Sequence, residues 1–324
     1  MQSHVLRVEN ELAVLEAVDV PQPKAGTGQV LLRMHAAGLN RGEFIPGGLV
    51  KSGAAKPAGI EGAGEIVALG EGVRSLQVGQ RVMGRCPGAF SEFTVMDARE
   101  AMAVPPGLSM TAAAAVPLAF LVVHDMLVLQ GRLHAGEWLL VTGVSSGVGV
   151  AALQMAKALG AKVIGTSGSA EKLQRLQAFG LDLGIPTRTP DFSTQVLQAT
   201  DGRGVDLVVN SVGGSVFAEC LRSMAFEGRL ATVGYVDRCL SAEVDLQALH
   251  AKRLTLFGVS NKLRNADQRA SGIPVFVAEV LPAFADGRIQ PLLDRVFPFA
   301  ELDAARQYME TNQHLGKIVV AMPV

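Results

Sequence analysis

The sequence predicts an α/β fold: a doubly wound parallel sheet joined to a mostly β domain. Three observations predict it. Residues 137–150, EWLLVTGVSSGVGV, read as a buried strand, a turn of small residues and the start of a helix. From Thr111 onward the chain alternates apolar runs with helix-forming stretches, the texture of a parallel sheet with helical crossovers. Before that point the apolar runs are short and punctuated by glycine and proline, the texture of β-structure with long loops.

Each element has its own local reason. In the first part, residues 30–38, 64–70 and 80–84 read as strands ending in turns, and 90–95 alternates like an exposed edge strand. A helix-like stretch follows at 120–130. The parallel strands are placed at 138–143, 162–166, 183–185, 206–211, 229–234 and 255–259. The helices between them lie at 150–159, 170–179, 192–200 and 216–224. The tail returns to mixed texture, with helices at 275–285 and 301–310 and strands at 295–297 and 317–321. Such a tail is expected to fold back onto the first domain and to leave the active site in a cleft between the domains. The boundaries are 1–122 for the first domain, completed by 262–324, and 123–261 for the parallel-sheet domain.

Composition narrows the function. With 324 residues, 49% of them hydrophobic, the chain can bury two cores. A net charge of −1 and 5% aromatics give no footprint for nucleic acid. No apolar run reaches membrane-spanning length, and MQSHVLRVEN lacks the core of a secretory signal, so a cytoplasmic location is expected. Cys86, Cys220 and Cys239 show no ligand spacing and are expected as free, buried thiols.

The glycine turn carries the chemistry. Gly143, Ser145, Ser146, Gly147, Val148 and Gly149 are small enough for the backbone to approach a pyrophosphate, and the helix behind them offers unpaired N–H groups. An NAD site places a carboxylate at the end of the next strand. Here that strand ends Gly165-Thr166-Ser167-Gly168-Ser169, with no carboxylate to repel a 2′-phosphate. Ser167 and Lys172 can bind that phosphate, so NADPH is favoured. Ser167 and Ser169 also suit capping of the following helix.

Several stretches together resemble the zinc-independent quinone oxidoreductases of the medium-chain dehydrogenase/reductase superfamily, over nearly the whole chain. They are Ala37-Gly38-Leu39-Asn40-Arg41, Gly59-Ile60-Glu61-Gly62-Ala63-Gly64, Val78-Gly79-Gln80-Arg81-Val82, Leu140 through Gly149, Asp201-Gly202-Arg203-Gly204-Val205-Asp206, Gly228-Arg229-Leu230 and Leu315-Gly316-Lys317-Ile318-Val319. The resemblance implies a GroES-like first domain, a Rossmann second domain, NADPH, and hydride transfer to a quinone or an activated carbon–carbon double bond. It also implies homodimers or homotetramers, often joined edge to edge through the Rossmann sheets. Zinc alcohol dehydrogenases of the same superfamily have a Cys in the segment holding Gly38-Leu39-Asn40-Arg41 and a His between the glycine and glutamate where Ile60 stands. Leu and Ile cannot ligate zinc, and no cluster of four cysteines exists, so no metal is expected. The chain departs from the quinone reductase pattern at Val122, Thr187 and Ile45, where the family often has Thr, Tyr and Tyr.

Candidate catalytic residues are Asn40, whose amide suits a substrate carbonyl or the nicotinamide ribose, and Tyr235, just past the fifth parallel strand. Glu43 shares the loop of Asn40 and suits a helix cap or a pair with Arg41. Val212, Gly234, Tyr235 and Ser260 (with Asn261 beside it) follow strand ends and are expected to line the cofactor; Asn210 and Lys317 complete the cofactor-binding candidates. His124 is read as structural. The expected activity is NADPH-dependent, zinc-free hydride transfer to a quinone or an α,β-unsaturated carbonyl compound. The alternatives are an enoyl thioester reductase, against which Ile45 argues mildly, and a non-catalytic NADPH-binding protein.

Overall fold

The computed structural model describes residues 1–9, 12–44 and 55–323, without the side chain of Leu12. Ile45, one of the departures from the quinone reductase pattern, lies outside the described residues. The chain divides into two compact units. One comprises Met1–Leu118, Lys262–Gly287 and Pro291–Val324; the other comprises Ala119–Asn261 and Arg288–Gln290.

The first unit opens with an antiparallel hairpin, β1 (Gln2–Glu9) and β2 (Leu12–Asp19), to which β4 (Lys56–Pro57) adds on the far side of β1. The expected element order lacks this hairpin. Its strands interleave charged and polar residues with short aliphatics, so the period-2 signal is weak. β3 (Gln29–Gly38) is buried along most of its length and pairs antiparallel with both β5 (Glu61–Leu69) and β7 (Phe93–Asp97). Among the described strands β7 pairs with β3 alone, so it stands at an edge. β6 (Arg81–Arg85) and β8 (Met102–Ala103) extend the sheet. Val30, Leu32, Met34, Ile66, Val82 and Met96 form its core with Phe90.

A short helix α1 (Met110–Ala113), capped by Ser109, leads to α2 (Pro117–His124), which continues as one wider π-turn over Asp125–Leu129. In the second unit β9 (Trp138–Thr142), β10 (Lys162–Ser167), β11 (Leu183–Pro186), β12 (Val205–Asn210), β13 (Met224–Thr232) and β14 (Thr255–Gly258) form one parallel sheet. Its order is β11-β10-β9-β12-β13-β14. The crossovers carry α3 (Gly147–Ala158), α4 (Ala170–Gln177), α5 (Ser193–Ala199), α6 (Phe217–Arg222) and α7 (Leu246–Ala251). Leu139, Leu140, Val141, Val208, Val209 and Leu230 are fully enclosed, as strands covered on both faces must be. Strand order reverses between β9 and β12, and ligands of such sheets bind at the carboxyl ends beside that reversal.

Past the sheet come α8 (Ala266–Ala270), α9 (Ile273–Glu279) and α10 (Leu281–Ala285). The sequence predicts one helix over 275–285. The structure breaks it at Val280, because Pro282 lacks an N–H and suits only the first turn of a new helix. β15 (Leu293–Pro298), α11 (Leu302–Glu310) and β16 (Lys317–Ala321) then return to the first unit, where β16 pairs with β3 and β15 with β16. Cys86 and Cys220 are buried and free; Cys239, expected to be buried, is exposed. Among the described residues no helix is long and apolar enough to cross a membrane.

Candidate cofactor site and a buried polar cluster

The dinucleotide turn begins where β9 ends. Gly143 adopts φ +67°, and the Ser146 N–H donates to its carbonyl at 3.0 Å, closing the turn. Ser146 caps α3: its Oγ accepts from the Gly149 N–H at 3.1 Å. The helix therefore starts at Gly147, not at Val150 as the apolar run alone predicts. A side chain at Gly149 would meet the Gly143 carbonyl oxygen and the Val144 Cα at 2.6 Å, so only glycine lets the helix pack this closely on the strand. The first turn of α3 carries N–H groups without helical partners, the usual seat for phosphate.

The end of β10 lies beside this turn. Ser145 Oγ and Ser167 Oγ are 3.1 Å apart, and Ser167 Oγ accepts from the Ser169 N–H at 3.3 Å. Ser169 caps α4 by accepting from the Lys172 N–H at 3.3 Å, which places half-buried Lys172 on the first helical turn. Among the described residues 165–169 at the strand end none is a carboxylate. A further residue joins here: a side chain at Gly168 would lie 2.7 Å from Arg188 Cζ, so the Arg188 guanidinium covers the Gly168 backbone. The register of β10 on β11, with Ser167 opposite Pro186, brings the residues after Pro186 to this edge. Sequence reasoning missed Arg188; a basic residue two positions past the neighbouring strand was the available signal.

Other expected contacts resolve differently. Asn210 is fully buried, and its amide is spent locally: Oδ1 accepts from the Val212 and Gly213 N–H groups at 3.1 Å, and Nδ2 donates to the Gly213 carbonyl at 2.9 Å. Thr142 Oγ1 lies 3.1 Å from the same Oδ1. Asn210 thus shapes the loop bearing Val212 and presents no side-chain atom to a ligand. Val212 and Gly234 are half-buried at the strand ends, Ser260 is exposed past β14, and Tyr235 is 57% exposed. Thr187 is occupied with Asp191 and Thr189. His124 is buried.

Lys317, expected to bind the cofactor, is committed elsewhere. Its ammonium donates to Glu61 Oε1 at 2.6 Å, Asn40 Oδ1 at 2.9 Å and the Leu39 carbonyl at 3.0 Å, which uses all three hydrogens. Glu61 Oε2 accepts from the Leu118 N–H at 2.8 Å. Asn40 Nδ2 donates to Glu43 Oε1 and Glu61 Oε1, both at 2.9 Å, and the Asn40 N–H adds a bond to Glu43 Oε1 at 3.0 Å. The amide hydrogens expected to meet a substrate carbonyl are therefore turned inward. Glu43 does not pair with Arg41, which reaches the Met309 carbonyl and Asn312 instead. Burial, with the nearby Glu61 charge and against the Asn40 bond and the Lys317 ammonium, pushes the Glu43 carboxyl up to about 8.

The comparisons with known proteins cover both units. Residues 26–106 match the family model described as alcohol dehydrogenase GroES-like domain, and residues 147–270 match that described as zinc-binding dehydrogenase. The mycocerosic acid synthase-like polyketide synthase of Mycolicibacterium smegmatis is 32% identical over 324 residues, which is 98% of this chain and 15% of that protein. The chain thus spans a small fraction of the length of the curated relatives it matches. Among solved structures, mycobacterial Rv1454c complexed with NADPH superposes with a TM-score of 0.88 at 28% identity, over 99% of this chain and all of that one. CurK enoyl reductase gives 0.87 at 28% identity over the whole of both chains. A mycobacterial quinone oxidoreductase gives 0.84 at 27% identity over 99% of this chain and all of that one. Zinc in the family description does not fit the residues present. Leu39 and Ile60 offer no donor atom, Glu61 is taken by Lys317 and Asn40, and among the described residues no three His, Cys, Asp or Glu side chains are grouped to hold a metal. With its GroES-like and parallel-sheet halves and these relatives, the chain belongs to the medium-chain dehydrogenase/reductase superfamily.

Proposed function

We propose that this chain is an NADPH-dependent reductase, working without zinc, that delivers hydride to a carbon–carbon double bond conjugated to a carbonyl. The observation that carries the reading is the edge formed by Ser167, Gly168 and Arg188 beside the Gly143–Gly149 turn. The turn seats a pyrophosphate. Ser167, Lys172 and Arg188 supply donors and positive charge where an NAD site would carry a carboxylate. Bound NADPH would supply the hydride; the chain supplies orientation and phosphate recognition. Tyr235 remains the candidate for a proton or hydrogen-bond donor, and Asn40 for a positioning role through its inward bonds.

Quinones, enones and enoyl thioesters share the same electron-poor carbon. The likeness to a quinone oxidoreductase supports the first. The polyketide synthase relative and the enoyl reductase neighbour support the last. NADPH and NADH oxidation, followed side by side against all three acceptor classes, tests the reading. Consumption of NADPH with any of them supports it, and the preferred class selects among them. Tight NADPH binding with no oxidation across the panel favours the non-catalytic alternative.

For the assembly we propose a homodimer joined through β14 in a reducing, cytoplasmic setting, in keeping with three free cysteines. β14 is an edge strand of the parallel sheet, and Phe226, Leu240 and Leu246 of the same unit are exposed apolar side chains. Sedimentation of the wild type and of Leu246→Glu tests it: a dimer that the variant weakens supports the interface, and a monomeric wild type overturns it.

A further inference from the structure

We infer that the polar cluster at the end of β3 is a buried proton-binding site in which Glu43 holds the proton. The cluster contains two carboxylates, Glu43 and Glu61, and one ammonium, Lys317. Glu61 takes the ammonium at 2.6 Å, and both its oxygens are bonded. Glu43 is 3% exposed. Its Oε1 receives two bonds from Asn40, while its Oε2 is buried without a hydrogen-bond partner among the described residues. An ionised Glu43 would leave one negative charge too many, on an oxygen that no donor among the described residues reaches. A proton on Oε2 removes that charge and leaves Oε1 as a carbonyl that still accepts from Asn40. The hydroxyl left behind is neutral, and its burial costs less than that of a charge.

The groups facing Glu43 among the described residues agree with this. β5 contributes Glu61, which favours the proton; β16 contributes Lys317, which opposes it but is already neutralised by Glu61. Arg41, on the same turn, points away to Met309 and Asn312. The end of β3, α1 and the Leu118 end of α2 place no titratable side chain there. A metal cation is the competing occupant. It would sit beside an ammonium, and the described residues group too few ligands to hold it.

Loss of the proton has a structural consequence. A bare Glu43 Oε2 must find a donor, and the donors at hand are the Asn40 amide and the Lys317 ammonium, both now serving Glu61. The placement of Asn40 is thereby coupled to pH. This inference does not depend on the identity of the acceptor, so it survives or fails separately from the proposed activity.

The test is carbon-13 NMR of the full chain labelled at glutamate carboxyl carbons. One signal should stand at the protonated position at neutral pH, titrate near pH 8 and vanish in Glu43→Gln. Should that variant not fold, Glu43→Asp serves to identify the signal by removing it from the glutamate set. A spectrum in which every glutamate is ionised at neutral pH overturns the inference. So does a Glu43 signal that moves to the ionised position when potassium or magnesium chloride is added, since a metal cation and not a proton would then be the occupant.

Discussion

Lys317 and Glu61 form a buried ion pair, Nζ to Oε1 at 2.6 Å, between the closing strand of the first unit and its β5. Removing one partner strands the other. Lys317→Met should cost about 3–5 kcal/mol in urea unfolding, the usual penalty for an uncompensated buried charge. The double change Lys317→Met with Glu61→Leu should recover much of that loss, because neither charge then remains. A single variant as stable as wild type would show that the pair is solvated in solution.

The raised Glu43 carboxyl makes a prediction about pH with a definite sign. Its folded value, about 8, exceeds the ordinary 4.5, so the folded chain binds more protons than the unfolded chain between those values. Its contribution is fully present below pH 4.5 and is lost as the pH rises to about 8. Relative to Glu43→Gln, the wild type should lose about 1.4 kcal/mol per pH unit across that window and nothing further above it. Parallel stability curves for the two proteins would contradict this.

At the turn, Gly147→Asp should place a carboxylate where phosphate is expected and abolish NADPH binding while leaving the far-ultraviolet circular dichroism unchanged. Gly149→Ala acts differently. Its methyl would meet backbone atoms at 2.6 Å, so it should cost about 2 kcal/mol or more of stability along with the binding. Retained NADPH affinity in Gly147→Asp, by fluorescence titration, would remove this turn from the cofactor site.

Arg188→Ala and Lys172→Ala should each weaken NADPH by roughly 10- to 100-fold, the worth of one hydrogen-bonded charge, and change NADH little. Equal losses for both nucleotides would mean that the two residues support the fold and not the 2′-phosphate.

What the sequence made legible follows from how local each signal is. The strands around Leu139–Val141 and Leu207–Val209 are continuous apolar runs because helices cover both their faces, and such runs can be read directly. The hairpin of β1 and β2 mixes charged residues into short apolar stretches and left no comparable trace. Within the site, the turn from Gly143 to Gly149 is contiguous and was visible. Arg188 reaches Gly168 only through the register of β10 on β11, which a linear pattern does not contain. Lys317 meets Asn40 across 277 positions of sequence, so its ammonium looked free for a cofactor until the fold spent it.

The position of Lys317 also orders events during synthesis. Glu43 and Glu61 leave the ribosome before the cation that meets them, which lies on β16, after the whole parallel sheet of the second unit has been made. A chain cut short before Lys317 has its second unit complete and its first unit without the strand and the charge that close it. Truncation before Lys317 would therefore leave the β3 edge that β16 covers unpaired and the acidic side chains of the cluster without their cation, both open to proteolysis.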